Sequence, residues 1–319
     1  MYKEFYSLKE KPFSKTPDPR YLYRSRHHAE ALARLHFAVE ERELAVLTGE
    51  IGSGKTLLSR ALIDSLDHRH PVVLIVNPML SPIQLLRIVA KRLGAEKPEH
   101  DKIDVIDQIN ELLYGYDQKE KCPVVILDEA QMIQDRNTFD EIRLLTNFQL
   151  DDRNLLSLIL IGQPELRKRL LLSPYRSLRQ RVGIQFHLSP LSEAETKEYI
   201  QFRLGVAGRS TPLFTDDALG RIFQLSHGIP REINNICSCA LLEGFGRDAR
   251  EIDRDIIGDV GRDLGYSLVA AHARRARTAR QGHFKTPIQA RRKMVKIRTR
   301  HRRLRKGRAQ KVTRKSRRR

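Results

Sequence analysis

The sequence predicts an α/β fold: a parallel five-stranded sheet flanked by helices, followed by a small all-α domain and a basic tail. Three observations lead there. Five short apolar runs (Leu44 to Thr48, Val72 to Val76, Val124 to Leu127, Leu156 to Ile161, Val182 to His187) are each followed by a helix-length amphipathic segment, the pattern of a parallel sheet buried on both faces. Beyond residue 190 the apolar period becomes purely helical. After Asp263 there is no acidic residue, while 22 Lys and Arg fall between Arg274 and Arg319.

In chain order, residues 1–26 form a turn-rich arm containing Pro12, Pro17, Asp18 and Pro19. Ala31, Leu32, Leu35, Ala38 and Val39 then recur at helical spacing and open the α/β domain, residues 27–190. Segments 192–206, 215–226, 230–246 and 252–263 read as helices of a lid domain, residues 191–265. Ser192 with Glu195 makes a capping box, and Thr215 or Asp216 caps the next helix. The tail, residues 266–319, lacks acids and apolar periodicity. It cannot bury enough surface to offset chain entropy and is expected to be disordered unless bound.

Charge belongs to that tail. The 319 residues hold 59 Lys plus Arg and 39 Asp plus Glu, a net of +20, yet residues 1–263 alone carry 37 basic and 39 acidic side chains. No apolar run approaches the ~18 residues of a membrane span, and Met1 to Lys15 has no signal-type apolar core. Cys122, Cys237 and Cys239 include a C-x-C spacing too tight for an ordinary disulfide and no zinc pattern. A reduced cytoplasm is the expected compartment, with the three thiols as packing residues.

The most specific motif is Gly49-Glu50-Ile51-Gly52-Ser53-Gly54-Lys55-Thr56, between a strand and a helix opening at Leu57. Glycines let backbone N–H groups turn toward phosphates, the helix N-terminus adds its positive end, Lys55 reaches the outer phosphates and Thr56 ligates Mg²⁺. Val124 to Leu127 then delivers Asp128 and Glu129 to a strand's carboxyl end, where ligands bind in open α/β sheets. Asp128 suits the Mg²⁺ shell and Glu129 the attacking water. Gln163 reads equally well as a γ-phosphate contact or as a turn residue before Pro164. Arg179 and Arg181 read as an arginine finger reaching a neighbouring subunit, or as a solvated cluster with Arg176. Arg231 stands in the first turn of a lid helix, where the dipole disfavours a cation unless it faces phosphate.

This spaced set resembles an AAA+ ATPase. Phe5-Tyr6-Ser7-Leu8, Lys11-Pro12-Phe13, Pro17-Asp18-Pro19, Asp128-Glu129-Ala130-Gln131, Ile142 to Asn147, Gly162 to Leu166 and Leu178-Arg179-Gln180-Arg181 are similar to the general secretion pathway protein A (ExeA-type) ATPases, of the origin-recognition clade. The resemblance covers residues 1 to about 263. It implies a P-loop NTPase that binds ATP and Mg²⁺, hydrolyses ATP and assembles into a ring or filament, with Gln163 as sensor 1, Arg231 as sensor 2 and Phe13 near the adenine. Secretion-pathway members continue into a membrane span and a periplasmic domain, neither of which is expected from this sequence. Similar modules accompany transposases, where an ATP-bound oligomer coats target DNA. A transposase, or a secretion or pilus assembly protein, is therefore an expected partner.

The tail points the same way. Its polycation gains affinity for nucleic acid by counterion release, and with Phe284 the only aromatic after Tyr266 it would touch phosphates without sequence preference. Anionic lipid headgroups or solvent alone are the competing readings. DNA association serving transposition is the leading expectation, and assembly of secretion or pilus machinery the alternative.

Overall fold

The computed structural model describes residues 2–14 and 18–266. Residues 2–265 form one compact unit. The tail, with its expected disorder and nucleic-acid contacts, lies outside the described residues, apart from Tyr266.

The chain begins with α1 (Tyr2–Phe5) and runs through α2 (Arg26–Glu40), β1 (Leu44–Gly49), α3 (Lys55–Ser65), β2 (Val72–Val76), α4 (Pro82–Arg92), α5 (Lys102–Asp117) and β3 (Val124–Asp128). It continues with α6 (Arg136–Leu145), β4 (Ser157–Gly162), α7 (Pro164–Leu170), α8 (Arg176–Arg181) and β5 (Val182–Leu188). Among the described residues four helices follow: α9 (Glu193–Val206), α10 (Asp216–Ser226), α11 (Pro230–Gly246) and α12 (Arg254–Asp263).

The five strands are parallel in the order β2-β3-β4-β1-β5. Side chains alternate faces along a strand, so one sheet divides two cores. Leu44, Val46, Val125, Leu127, Leu158 and Leu160 face α4, α5 and α6. Ala45, Leu47, Val124, Ile126, Ile159 and Ile161 face α2 and α3. Every residue of β1, β3 and β4 is buried, which explains why these strands read as unbroken apolar runs.

The order matters for the site because β4 lies between β1 and β3. Thr48 pairs with Gly162 and Leu127 with Leu160, so the carboxyl ends of all three open onto one edge.

Capping follows the sequence closely. Ser192 and Glu195 make both reciprocal bonds of the capping box, and Thr215 caps α10. Two helix starts differ by two residues. The helix after the glycine loop starts at Lys55, because Gly54 in the left-handed region is its cap. The final helix starts at Arg254, capped by Asp253, because Ile252 instead makes a parallel bridge with Phe214.

The arm packs on the C-terminal helices. Lys9 N–H donates to the Ala207 carbonyl (2.9 Å), the Tyr6 hydroxyl to the Ala249 carbonyl (3.0 Å), and Ser238 Oγ to the Phe13 carbonyl (3.1 Å).

Candidate nucleotide site

The loop Gly49–Thr56 turns from β1 into α3 by placing Gly52 at φ +82° and Gly54 at φ +99°, backbone that L side chains avoid. Gly52 is constrained twice. A Cβ there would stand 2.5 Å from Arg231 Cβ, and its carbonyl accepts the Arg231 N–H at 3.2 Å. The first turn of α11 is thus seated on the loop.

Lys55 is 6% exposed, and its Nζ donates to the Gly49 and Glu50 carbonyls, each at 2.9 Å. Burial pushes its pKa down, while Glu129, Asp128 and Glu50 nearby act the other way. Ser53 Oγ is buried with no partner among the described residues.

Asp128 is 3% exposed. Its Oδ1 accepts the Glu129 N–H at 2.9 Å and its carboxyl is hydrogen-bonded by Thr56, yet burial dominates and raises its pKa. A buried carboxylate beside a hydroxyl suits a divalent cation with oxygen preference.

Glu129 has φ +57°, an uncommon conformation for a residue with a side chain. Two amides hold its carboxylate: Gln163 Nε2 at 3.3 Å from Oε2, and Gln131 Nε2 on the same oxygen. Gln131 Oε1 in turn accepts the Gln163 N–H at 3.0 Å. Gln163 therefore does more than fill a turn before Pro164.

These groups open onto a cleft of about 440 Å³. Its lining joins Ile51, Gly52, Gly54, Lys55, Thr56, Leu57, Glu129, Gln163, Pro230 and Arg231 with Ser14, Asp18, Tyr21, Tyr199, Arg203, Asn234 and Asn235. The volume lies within the usual ligand range of roughly 300–1,000 Å³. An unpartnered loop hydroxyl, a buried lysine and the free N–H groups of the first turn of α3 fit a polyphosphate. The Thr56 and Asp128 oxygens fit its Mg²⁺.

Gly49, Glu50, Ser53 and Asp128 stand behind the lining rather than in it. Phe13, expected near the adenine with the arm that contains it, does not itself line the cleft but is buried edge-to-face on Phe214, 6.2 Å between centroids. Apolar contact on the C-terminal helices outweighs an exposed place over a ligand, and Ser14, Asp18 and Tyr21 take the arm's share of the wall. Arg179 and Arg181 are exposed on α8, away from this cleft; Arg179 Nη1 donates to the Leu171 carbonyl at 3.2 Å.

Arg203 is a lining residue that sequence reasoning missed. It is 5% exposed, donates from Nε to the Pro12 carbonyl (2.6 Å) and from Nη1 to the Tyr199 hydroxyl (2.7 Å), and lies 4.6 Å from the Tyr21 ring centroid. Its one sequence signal is helical spacing from Tyr199 and Ile200, which share the buried face of α9.

A family model described as an AAA domain matches residues 39–170. General secretion pathway protein A of Aeromonas hydrophila is 40% identical over 263 residues, 82% of this chain and 47% of the relative; the chain spans about half that protein's length. Among solved structures, Drosophila ORC bound to DNA superposes with a TM-score of 0.63 at 16% identity, covering 83% of this chain and 66% of that one. ORC1 of Aeropyrum pernix in complex with DNA gives 0.57 at 15% identity, covering 76% and 67%. At such identities these two speak for the fold. The match to the domain model places an AAA domain at residues 39–170, the solved structures share its AAA+ P-loop fold, and the 40% identity makes general secretion pathway protein A a relative of this chain.

Proposed function

We propose that the chain binds and hydrolyses Mg·ATP as an oligomeric switch. The observation that carries this reading is the meeting, in one cleft, of the glycine loop, the Glu129 carboxylate held by two amides, and Arg231 of α11. The loop N–H groups and Lys55 bind the phosphates. Glu129 takes the proton of a water attacking the γ-phosphorus while the bond to the β–γ bridging oxygen breaks. Gln163 and Gln131 fix the carboxylate that orients the water, and Arg231 brings a cation from α11. Mg²⁺, held through Thr56 and Asp128, would neutralise charge on the leaving phosphates. Arg179 or Arg181 serves as a finger on a second copy, with Arg179 preferred.

The tail's 22 cations without an acid support DNA as what the switch acts on, in transposition or a related process. The 40% identical relative supports a second reading, an assembly factor for secretion or pilus machinery. One experiment separates them: ATP turnover by the full chain and by residues 1–266, with and without duplex DNA, across a salt series. Stimulation that disappears with the tail and with rising salt supports the DNA reading, and DNA-indifferent turnover in both supports the second. Within it, Lys55→Ala should lose nucleotide binding, and Glu129→Gln should keep ATP and accumulate as an oligomer; normal turnover in Glu129→Gln would remove Glu129 as the base.

A further inference from the structure

We infer that His28 is a positioning residue of the phosphate loop: it sets the direction of the Ser53–Gly54 peptide so that the Gly54 N–H faces the cleft as a phosphate donor. The inference rests on the nucleotide reading proposed above.

His28 is the third residue of α2 and 6% exposed. Both ring nitrogens are engaged. Nδ1 lies 2.7 Å from Ser25 Oγ and Nε2 lies 3.1 Å from the Ser53 carbonyl oxygen. Ser25 Oγ also caps α2 by accepting the His28 N–H at 3.3 Å, which leaves its own hydrogen to donate to Nδ1. With Nδ1 an acceptor, the proton of the neutral ring belongs on Nε2, where it donates to the Ser53 carbonyl. Burial keeps the ring's pKa below the usual histidine value, which favours that neutral form.

In a planar trans peptide the carbonyl and the following N–H point in opposite directions. Drawing the Ser53 carbonyl toward α2 turns the Gly54 N–H away from it, and Gly54 lines the cleft. No group among the described residues accepts that N–H. The ring and loop are in close contact: a Cβ on Gly54 would stand 3.2 Å from His28 Nε2. The preceding peptide, Gly52–Ser53, is fixed as well, since its Gly52 O accepts from Arg231 N and its Ser53 N donates to Glu50 O. Two successive carbonyls of the loop are thus held from outside it, one by α11 and one by α2. A donor already aimed needs no reorganisation when the anion arrives.

The test compares ATP and ADP affinity in the full chain carrying His28→Phe, His28→Asn or His28→Gln, beside wild type and Lys55→Ala, with the melting temperature of each nucleotide-free protein. Phe keeps the ring's bulk without a donor. Asn keeps a polar partner for Ser25 but is too short for the Ser53 carbonyl, and Gln restores an amide donor near Nε2. Phe and Asn are expected to weaken binding about tenfold to a hundredfold, the scale of one hydrogen bond to a charged group, with Gln within about threefold of wild type. Wild-type affinity in folded Phe or Asn variants would overturn the inference, as would a Gln variant as weak as Phe. Absence of nucleotide binding by wild type would instead overturn the reading on which it rests.

Discussion

Asp128 sits where an ionised carboxylate is expensive to keep. Its pKa is raised by burial, so between the ordinary carboxylate value and the raised one the native state holds a proton that the unfolded chain has lost. Stability therefore falls as pH rises through that window. Asp128→Asn keeps an acceptor for the Glu129 N–H and removes the charge. It should raise the melting temperature of the nucleotide-free protein by roughly 2–4 °C, what about 1 kcal/mol is worth at this domain size, while weakening Mg²⁺-dependent nucleotide binding. A calorimetric scan showing no rise would refute the account. The residues legible in the sequence are those whose chemistry is contiguous: the loop from Gly49 to Thr56, and Asp128 with Glu129. His28 and Arg203 were not legible, because what defines them is a carbonyl 25 residues away at Ser53 and one 191 residues away at Pro12. Gln131 lay in plain view two places after Glu129, and only the folded strand end shows that it shares a carboxylate oxygen with Gln163.

Between elements, the tightest joint in the C-terminal helices is the turn from α10 to α11. His227 and Gly228 both take positive φ, 52° and 73°, and the Gly228 carbonyl accepts the Leu191 N–H at 2.9 Å. A Cβ on Gly228 would fall 1.9 Å from the Leu191 carbonyl oxygen, a backbone atom that cannot step aside. Gly228→Ala should therefore cost about 3 kcal/mol or more in urea denaturation, and should weaken nucleotide binding, because the same turn delivers Arg231 to Gly52. Unchanged denaturation would mean that the joint is looser than its geometry. The strands and most helices were legible because burial on both faces and caps such as Ser192 with Glu195 act locally. The start of α12 was not, since the Ile252 bridge to Phe214 answers to a partner 38 residues back.

Across the whole unit, the first residues of the chain are held by its last helices. Tyr6 is 1% exposed, and its hydroxyl reaches a carbonyl 243 residues away. Because arm, sheet and C-terminal helices form one compact unit, Tyr6→Ala should lower stability by about 3–5 kcal/mol, the usual cost of emptying a large buried aromatic site, within a single unfolding transition. A separate early transition would show that the arm and C-terminal helices unfold apart from the sheet. The alternation of strands and helices was legible because each strand carries its own apolar run, whereas the strand order was not, since β1 pairs with the distant β4 and β5, nor was the arm's seat, which has no periodicity of its own. That seat bears on how the protein is made. The glycine loop leaves the ribosome early, but Arg203 and Asn234, which also line the cleft, emerge much later, and Tyr6 has no Ala249 to hold until the chain has passed α11. A growing chain consequently carries the glycine loop long before it carries the residues of α9 and α11 that line the same cleft, so the cleft is complete only once α11 has been made.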